Sequence, residues 1–528
     1  MFPMKKIVPQ AAIADDIRQS ASRFLAAAAV ILALLVPGSQ AQAAPNNVPL
    51  LPLEQSPLVV KGRDGAFIVA KKDGSGIDGL KLSQHDRLIA SPAIAVAPDG
   101  TIHVAFLEQH RTTFANAIYH RSSADSGKTW TEAKNLTEDL VNMDVGRCEV
   151  LVDARNRVYV IWRAAVPGSF AVATDLGGSP SCLWFRELEG GKWTKAKAIS
   201  ETEAGVPQYS EAAYSFFATV DAAGRAQVVW NGMPDKWHPE LMVANGHSLG
   251  VGNGLVFQST LDGGSAGKPR EVFLPVVTPA DTRPWPNNAG PTSCDNLDTL
   301  NGYVDSVGAA HFVASATMPM YGHPAHPPRY ELIENGKAGE GIELPALSFH
   351  ASKDIPTLLV DAKGKRHMIA LFLAGEHPNV RDYSLGSDDE PAVIRAATGL
   401  NGTIDGFQAC QGSGGRMVAI MQMNDTGERS TDENFVSMST GDGKWSVPVN
   451  VSNNAGRKSY VSRQTTAQSQ VSRETGSMPG PGAAAFDAAG HLLLVLIKQE
   501  YAIVHSTALG VNLAGGGSTT PTLRFLKF

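Results

Sequence analysis

One unit recurs seven times along this chain, and no other feature restricts its fold as strongly. An apolar stretch enters a short turn, usually built on aspartate and glycine, and returns as a second apolar stretch. The copies are PAIAVAPDGTIHVAF at 92–106, EVLVDARNRVYVIW at 149–162, SFFATVDAAGRAQVVW at 215–230, GYVDSVGAAHFVA at 302–314, PTLLVDAKGKRHMIALF at 356–372, FQACQGSGGRMVAIM at 407–421 and AAAFDAAGHLLLVL at 483–496. Asp99, Asp153, Asp221, Asp305, Asp361 and Asp487 mark the turn in six of them. Each copy reads as a β-hairpin whose turn needs glycine, or a residue that tolerates positive φ. Both strands are largely apolar, so both faces must be covered. A lone hairpin cannot do this; identical units stacked around an axis can.

The copies start roughly 50–85 residues apart, which leaves room for two further strands in each unit. Third strands are expected at NAIYHRSS (116–123), CLWFREL (182–188) and GLVFQST (254–260). Helical periodicity is missing beyond the first forty residues. The expectation is an all-β propeller with four-stranded blades, seven blades favoured and six as the alternative. The early segment Leu58–Val69 and the last strand, Thr522–Phe528, are candidates for closing the ring. Frequent glycine and proline (52 and 32 residues) and only 18% charged residues suit many short strands joined by turns. The formal charge of −6, with no clustered basic run, argues against nucleic acid as a partner.

Lys5, Lys6, Arg18 and Arg23 precede the apolar run Phe24–Val36, and Ala41-Gln42-Ala43 follows it. A basic head, a short apolar stretch and a small-x-small site read as a secretory signal covering residues 1–43. The expected mature protein is a single propeller domain, 44–528. It is secreted or periplasmic, monomeric and without a membrane span once the signal is removed. Oxidising surroundings make disulfides among Cys148, Cys182, Cys294 and Cys410 an expectation. Cys148–Cys182 is preferred because both fall in one unit, and four buried thiols are the alternative. No cysteine–histidine cluster points to a metal, and no cofactor is expected.

Ser123-Ala124-Asp125-Ser126-Gly127-Lys128-Thr129-Trp130 is a complete S-x-D-x-G-x-T-W box. Degenerate copies stand at 189–193 (EGGKW), 261–264 (LDGG) and 439–445 (STGDGKW). The aspartate can accept backbone N–H groups across a hairpin, the glycine supplies the backbone angle, and the tryptophan packs between sheets. With the strand 91–106, these boxes resemble the BNR-repeat (Asp-box), sialidase-like propellers over most of residues 85–500. The resemblance implies handling of extracellular glycans by a glycosidase or a polysaccharide lyase acting on an acidic saccharide. A non-catalytic glycan-binding or scaffold propeller is the alternative. Sialidases carry Arg-Ile-Pro near the first blade; Ala90-Ser91-Pro92 stands here instead, so efficient sialidase activity is not expected.

Hairpin geometry puts the Asp–Gly turns on one face and the entries to first strands and exits from second strands on the other, around the axis. Ligand sites use such a rim. The rim candidates are His110, Arg111, Glu149, Arg163, Glu211, Tyr214 and His377. Arginines can hold a saccharide carboxylate in a bidentate fashion. Glutamate, histidine or tyrosine can move the proton in hydrolysis or elimination. Glu149 and Arg163 can equally form a structural ion pair. His103, His311, His367 and His491 sit beside the turns on the other face and read as structural. His323 and His326 read as part of a proline-rich loop.

Overall fold

The computed structural model describes residues 59–61, 67–69, 80–82, 88–109, 116–140, 144–165, 181–199, 216–221, 223–232, 243–244, 247–248, 255–273, 296–317, 329–334, 337–338, 342–343, 356–361, 363–372, 379–385, 392–394, 403–412, 415–424, 432–439, 444–451, 462–466, 469–508, 511–518 and 522–528. They form a seven-bladed, all-β propeller of four-stranded antiparallel blades. Blade 1 runs Leu88–Val96, Ile102–Gln109, Asn116–Ser123, Lys134–Asn135. Blade 2 opens with Asp144–Val152, Val158–Ala165 and Ser181–Glu189. The later blades repeat the pattern, their first strands being Phe216–Val220, Asn296–Val304, Thr357–Val360, Thr403–Gln411 and Ser469–Phe486. First strands touch one another in sequence, and blade 7 touches blade 1, so the first strand of each blade is innermost and the ring is closed.

Each seam between neighbouring blades holds its own apolar cluster. The seam between blades 1 and 2, for example, packs Ala105, Leu107 and Leu136 against Val150, Val160 and Trp162. Between blades 7 and 1, Leu493, Val495 and Phe525 meet Ile102, Val104 and Phe106. Alternate residues of one strand thus serve two seams, which is why the strands read as apolar on both faces.

The seven inner turns share one geometry. The N–H of the first position bonds the carbonyl four residues on, from Ala97 to Thr101, Asp153 to Arg157, Asp221 to Arg225, Asp305 to Ala309, Asp361 to Lys365, Gly412 to Arg416 and Asp487 to His491. The fourth position has positive φ in all seven, and is glycine except for Asn156. This alignment corrects one expectation. Five turns carry aspartate at the first position, but in blade 1 that position is Ala97. Asp99 sits two residues further on, where its carboxylate takes the N–H of Thr101 at 2.8 Å and its own N–H donates to Asn156 Oδ1 of blade 2 at 3.2 Å.

Ring closure joins distant parts of the chain. Blade 7 takes three strands from the C-terminal region, Ser469–Phe486, Leu492–Ala508 and Thr522–Lys527, and its outermost one, Leu80–Lys81, from the N-terminal region. The early segment does not close blade 7. Val59–Lys61 and Phe67–Val69 extend blade 6, through a parallel pairing of Phe67–Ile68 with Val449–Asn450. Beyond its bulge the blade 7 hairpin continues between Ser462–Thr466 and Val511–Ser518.

The Ser123–Trp130 octapeptide closes the outer hairpin of blade 1 as a local staple. Asp125 accepts from Ser123 Oγ (2.8 Å), Thr129 N (2.9 Å) and Thr129 Oγ1 (2.6 Å), and these bonds pull its carboxyl down to about 2. Trp130 donates to Gly127 O at 3.1 Å and meets Phe525 edge-on, ring centroids 5.1 Å apart. A side chain on Gly127 would run into the same Phe525 ring. Trp130→Ala is expected to cost about 2 kcal/mol, because the ring is only partly buried. Ligand affinity of the folded protein should stay unchanged, the hairpin lying at the turn face. Lost binding at an unchanged melting temperature would contradict that placement.

The preferred disulfide does not form. Cys148 lies opposite Trp162 and Cys182 opposite Ala164, so the second strand runs between them. Two strand spacings come to about 10 Å, beyond the ~7 Å a disulfide spans between Cα atoms. None of the described cysteines, Cys148, Cys182 and Cys410, is in a disulfide, and Cys294 lies outside the described residues.

Candidate functional site at the mouth of the ring

Innermost strands are bent at one height. Register shifts fall between Ala90 and Ala93 in blade 1, Val145 and Cys148 in blade 2, Leu297 and Thr299 in blade 4, Ile404 and Gly406 in blade 6, and Pro479 and Gly482 in blade 7. Each lies four to eight residues before the first position of its turn, hence near the end of the strand away from the turns. A bulge bends its strand and re-aims the extra residue. The sequence hints at it as Ser91-Pro92, Gly146-Arg147, Gly406 and Pro479-Gly480-Pro481-Gly482, residues that do not fit regular strand pairing; Ser91 has φ 46°. The tier is tied across one seam by Cys148 Sγ to Ser91 O (3.1 Å) and Asn116 Nδ2 to Val145 O (3.0 Å).

The bulge of blade 2 builds the one candidate cluster among the described residues. Arg147 Nη2 bonds Glu149 Oε1 at 2.6 Å, with Nε at 3.2 Å from the same oxygen. The guanidinium carbon stands 5.2 Å from the ring centroid of Phe216, the first residue of the blade 3 inner strand. The two charged side chains are 32% and 29% exposed, open enough to meet a ligand and covered enough to be held in place. Arg163 is half-buried and projects toward the same seam: Tyr159 and Ile161, alternating with it, belong to the cluster shared with blade 3, and Glu149 lies opposite Ile161. Glu149 is paired with Arg147, two residues before it. The sequence places the charged residues, but the bulge decides which of them meet.

His110, Arg111, Glu211, Tyr214 and His377 lie outside the described residues. Glu108, which the sequence reading passed over, is fully buried on the strand leading to His110. It alternates with Val104 and Phe106 and so faces the seam between blades 7 and 1. Its only sequence signal is a charge where the alternation calls for an apolar residue. Cys148, next to Glu149, cannot serve as a nucleophile: burial, and then the adjacent carboxylate, push its thiol far above the ordinary range.

The histidines beside the turns are structural. His311 Nε2 meets Asp305 at 2.9 Å and His491 Nδ1 meets Asp487 at 2.8 Å. No group of three or more His, Cys, Asp or Glu residues among the described ones is arranged to hold a metal. No described helix is long and apolar enough to cross a membrane.

No family model and no curated protein matches the chain. Among solved structures it is similar to the sialidase of Trypanosoma rangeli, at 10% identity over 90% of this chain with TM-score 0.35, and it spans 58% of that protein. It is similar to the polysaccharide lyase Uly1, at 12% identity over 74% of this chain and 83% of that one, TM-score 0.38. A third is the α-L-arabinanase of Penicillium chrysogenum, at 15% identity over 69% of this chain and 98% of that one, TM-score 0.40.

Proposed function

We propose that the chain is an exported propeller of the Asp-box kind that acts on an extracellular acidic saccharide at the mouth of the ring, as a glycosidase or polysaccharide lyase. The supporting observation is the Arg147–Glu149 pair, with Arg163 on the same seam and Phe216 beneath it. An arginine fork recognises a carboxylate or sulfate in two parallel bonds. A glutamate within that reach can accept or deliver the proton that hydrolysis and elimination both require. The staple geometry at Ser123–Trp130 supports the Asp-box reading. Export rests on the 1–43 segment, and a monomer is expected because the ring closes within one chain.

The screen is purified protein against uronate-containing polysaccharides and sialosides, following new reducing ends and unsaturated-uronate absorbance. Glu149→Gln should lower turnover by about 100-fold or more while substrate still binds. Full activity in that variant would remove Glu149 from the chemistry. Sialosides should not be turned over efficiently, since Ala90-Ser91-Pro92 stands where the resemblance to sialidases calls for Arg-Ile-Pro. A second reading, a binding module without catalysis, is favoured by the neutralisation of Glu149 by Arg147; binding to a glycan without turnover of any would establish it.

A further inference from the structure

Two seams carry side chains at the same four positions, with carboxylates flanking a histidine in one and a second imidazole in the other. In blade 5, Asp361 holds the first turn position. His367, six residues on, has Nε2 3.6 Å from Asp361 Oδ2 and Nδ1 2.9 Å from Asp382 Oδ1 on the third strand. Trp445, on the outer hairpin of blade 6, donates Nε1–H to Asp382 Oδ2 at 2.9 Å. In blade 1 the four positions are Ala97, His103, His120 and Trp193. His103 Nδ1 lies 3.1 Å from His120 Nε2, the rings stacked at 25°, and Trp193 of blade 2 sets its ring edge against His120 with centroids 4.9 Å apart. The equivalence is one of register: His120 lies opposite Ala105 and Asp382 opposite Ile369, each eight residues past the first turn position.

One imidazole–imidazole bond needs an N–H on one ring and a lone pair on the other, so the pair is bonded only while at least one ring is neutral. Both rings of blade 1 are buried, and so is His367. Two carboxylates raise His367 above its ordinary value despite its burial. In blade 1 burial lowers His103 to about 4; burial, and then the charge of His103, hold His120 well below its ordinary value. The charged groups on the elements around the pair are few. Asp99 on the turn raises His103 slightly. Lys134 lies opposite His120 on the fourth strand and is paired with Glu138 at 2.7 Å. Ala95 on the first strand and Ser122 on the third lie opposite His103, and blade 2 contributes Val150, Val152, Leu188 and Trp193 to the seam.

We infer that the seam between blades 1 and 2 is an acid-release joint, in which protonation of the His103–His120 pair frees the Trp193 hairpin from blade 1 while the carboxylate-bearing seam between blades 5 and 6 holds. The open form takes up protons at the ordinary value of 6.5 and the closed form only near 4. The joint is therefore at full strength above about pH 6.5 and weakens as pH falls through the window down to 4, by up to about tenfold per pH unit for each histidine. His367 runs the other way: its pin is complete below 6.5 and is lost only as pH rises through its elevated value. The bulge contact of Cys148 with Ser91 crosses the same seam, so loosening there reaches the mouth.

Hydrogen exchange on the full chain between pH 7 and 4.5, normalised to the rate of an unstructured peptide, tests this. Protection in Asn116–Ser123 and Lys192–Trp193 should fall by up to about 100-fold per pH unit below 6.5, while Asn379–Ser384 keeps its protection. The double variant A97D/H120D copies the blade 5 relay into blade 1 and should abolish the fall. His120→Gln alone should reduce it to about tenfold per unit, and serves should the double variant fail to fold. No loss in the wild-type protein, equal loss at both seams, or a loss undiminished in the variants would overturn the proposal.

Discussion

Arg121→Ala should lower stability by about 3 kcal/mol and open the ring at blade 7 before any other blade frays. Arg121 is buried at the seam beside the pairing of Leu80–Lys81 with Thr522–Lys527. Its guanidinium bonds Leu82 O, next to the closing strand Leu80–Lys81. The same group reaches Thr131 O at 2.6 Å and Trp130 O at 3.5 Å, on the outer hairpin of blade 1. One side chain thus fastens the N-terminal strand of blade 7 to the stapled hairpin of blade 1. Truncation strands up to three carbonyls, each costing ~1–3 kcal/mol where it stays buried. The guanidinium contributes geometry as well as charge: Arg121→Lys keeps the charge but cannot direct donors at three carbonyls, so it should recover only part of the loss. Denaturant midpoints give the magnitude. Exchange of Leu80–Lys81 and Thr522–Lys527 ahead of the other blades gives the location. Uniform loss around the ring would mean that Arg121 does not serve closure.

Asp153→Ala should cost about 3–5 kcal/mol, and the cost should arise from Arg157 rather than from the turn. Asp153 is buried and accepts from Arg155 N and Arg157 N, both at 2.9 Å. Its other oxygen takes Arg157 Nε at 2.8 Å and Nη2 at 2.7 Å. Arg157 also bonds Asp262 of blade 3 and lies 3.7 Å from Glu187, itself fully buried, so the cluster spans the seam between blades 2 and 3. Removing one carboxylate leaves a mostly buried guanidinium short of charge, the situation that makes broken buried pairs expensive. Blade 1 shows that the turn itself survives without the acid, since Ala97 keeps the same bond to Thr101 at 2.8 Å. The double variant D153A/R157L should therefore recover only part of the loss, because Glu187, fully buried 3.7 Å from Arg157, loses its counter-ion in turn. If it were as unstable as the single variant, the backbone bonds of the turn would carry the effect.

Much of the fold was legible in the amino-acid order, because its signals are local. Period-two apolar strands, a residue tolerant of positive φ at the fourth turn position and the octapeptide at Ser123–Trp130 each act within a few residues of themselves. Repetition then dictates stacking, since no single hairpin can cover both its faces. Less of the candidate site was readable. Arg147 and Glu149 look like ordinary strand-entry charges until the bulge between Val145 and Cys148 turns them toward Phe216. The shift in register is what brings Arg147 to Glu149, two residues on.

By itself the sequence determined seven hairpins, their turns and their order around an axis. Only the tertiary structure decided that Asp99 acts from the third turn position rather than the first, that a strand runs between Cys148 and Cys182, and that Leu80–Lys81 completes blade 7. It also decided that His103 meets an imidazole where His367 meets two carboxylates. The physical reason is range. Turn chemistry and alternation are set by neighbours in the chain. A two-residue closing strand has no periodicity to read, and a side chain at a seam finds its partner, and hence its charge state, in whichever blade the closed ring brings against it.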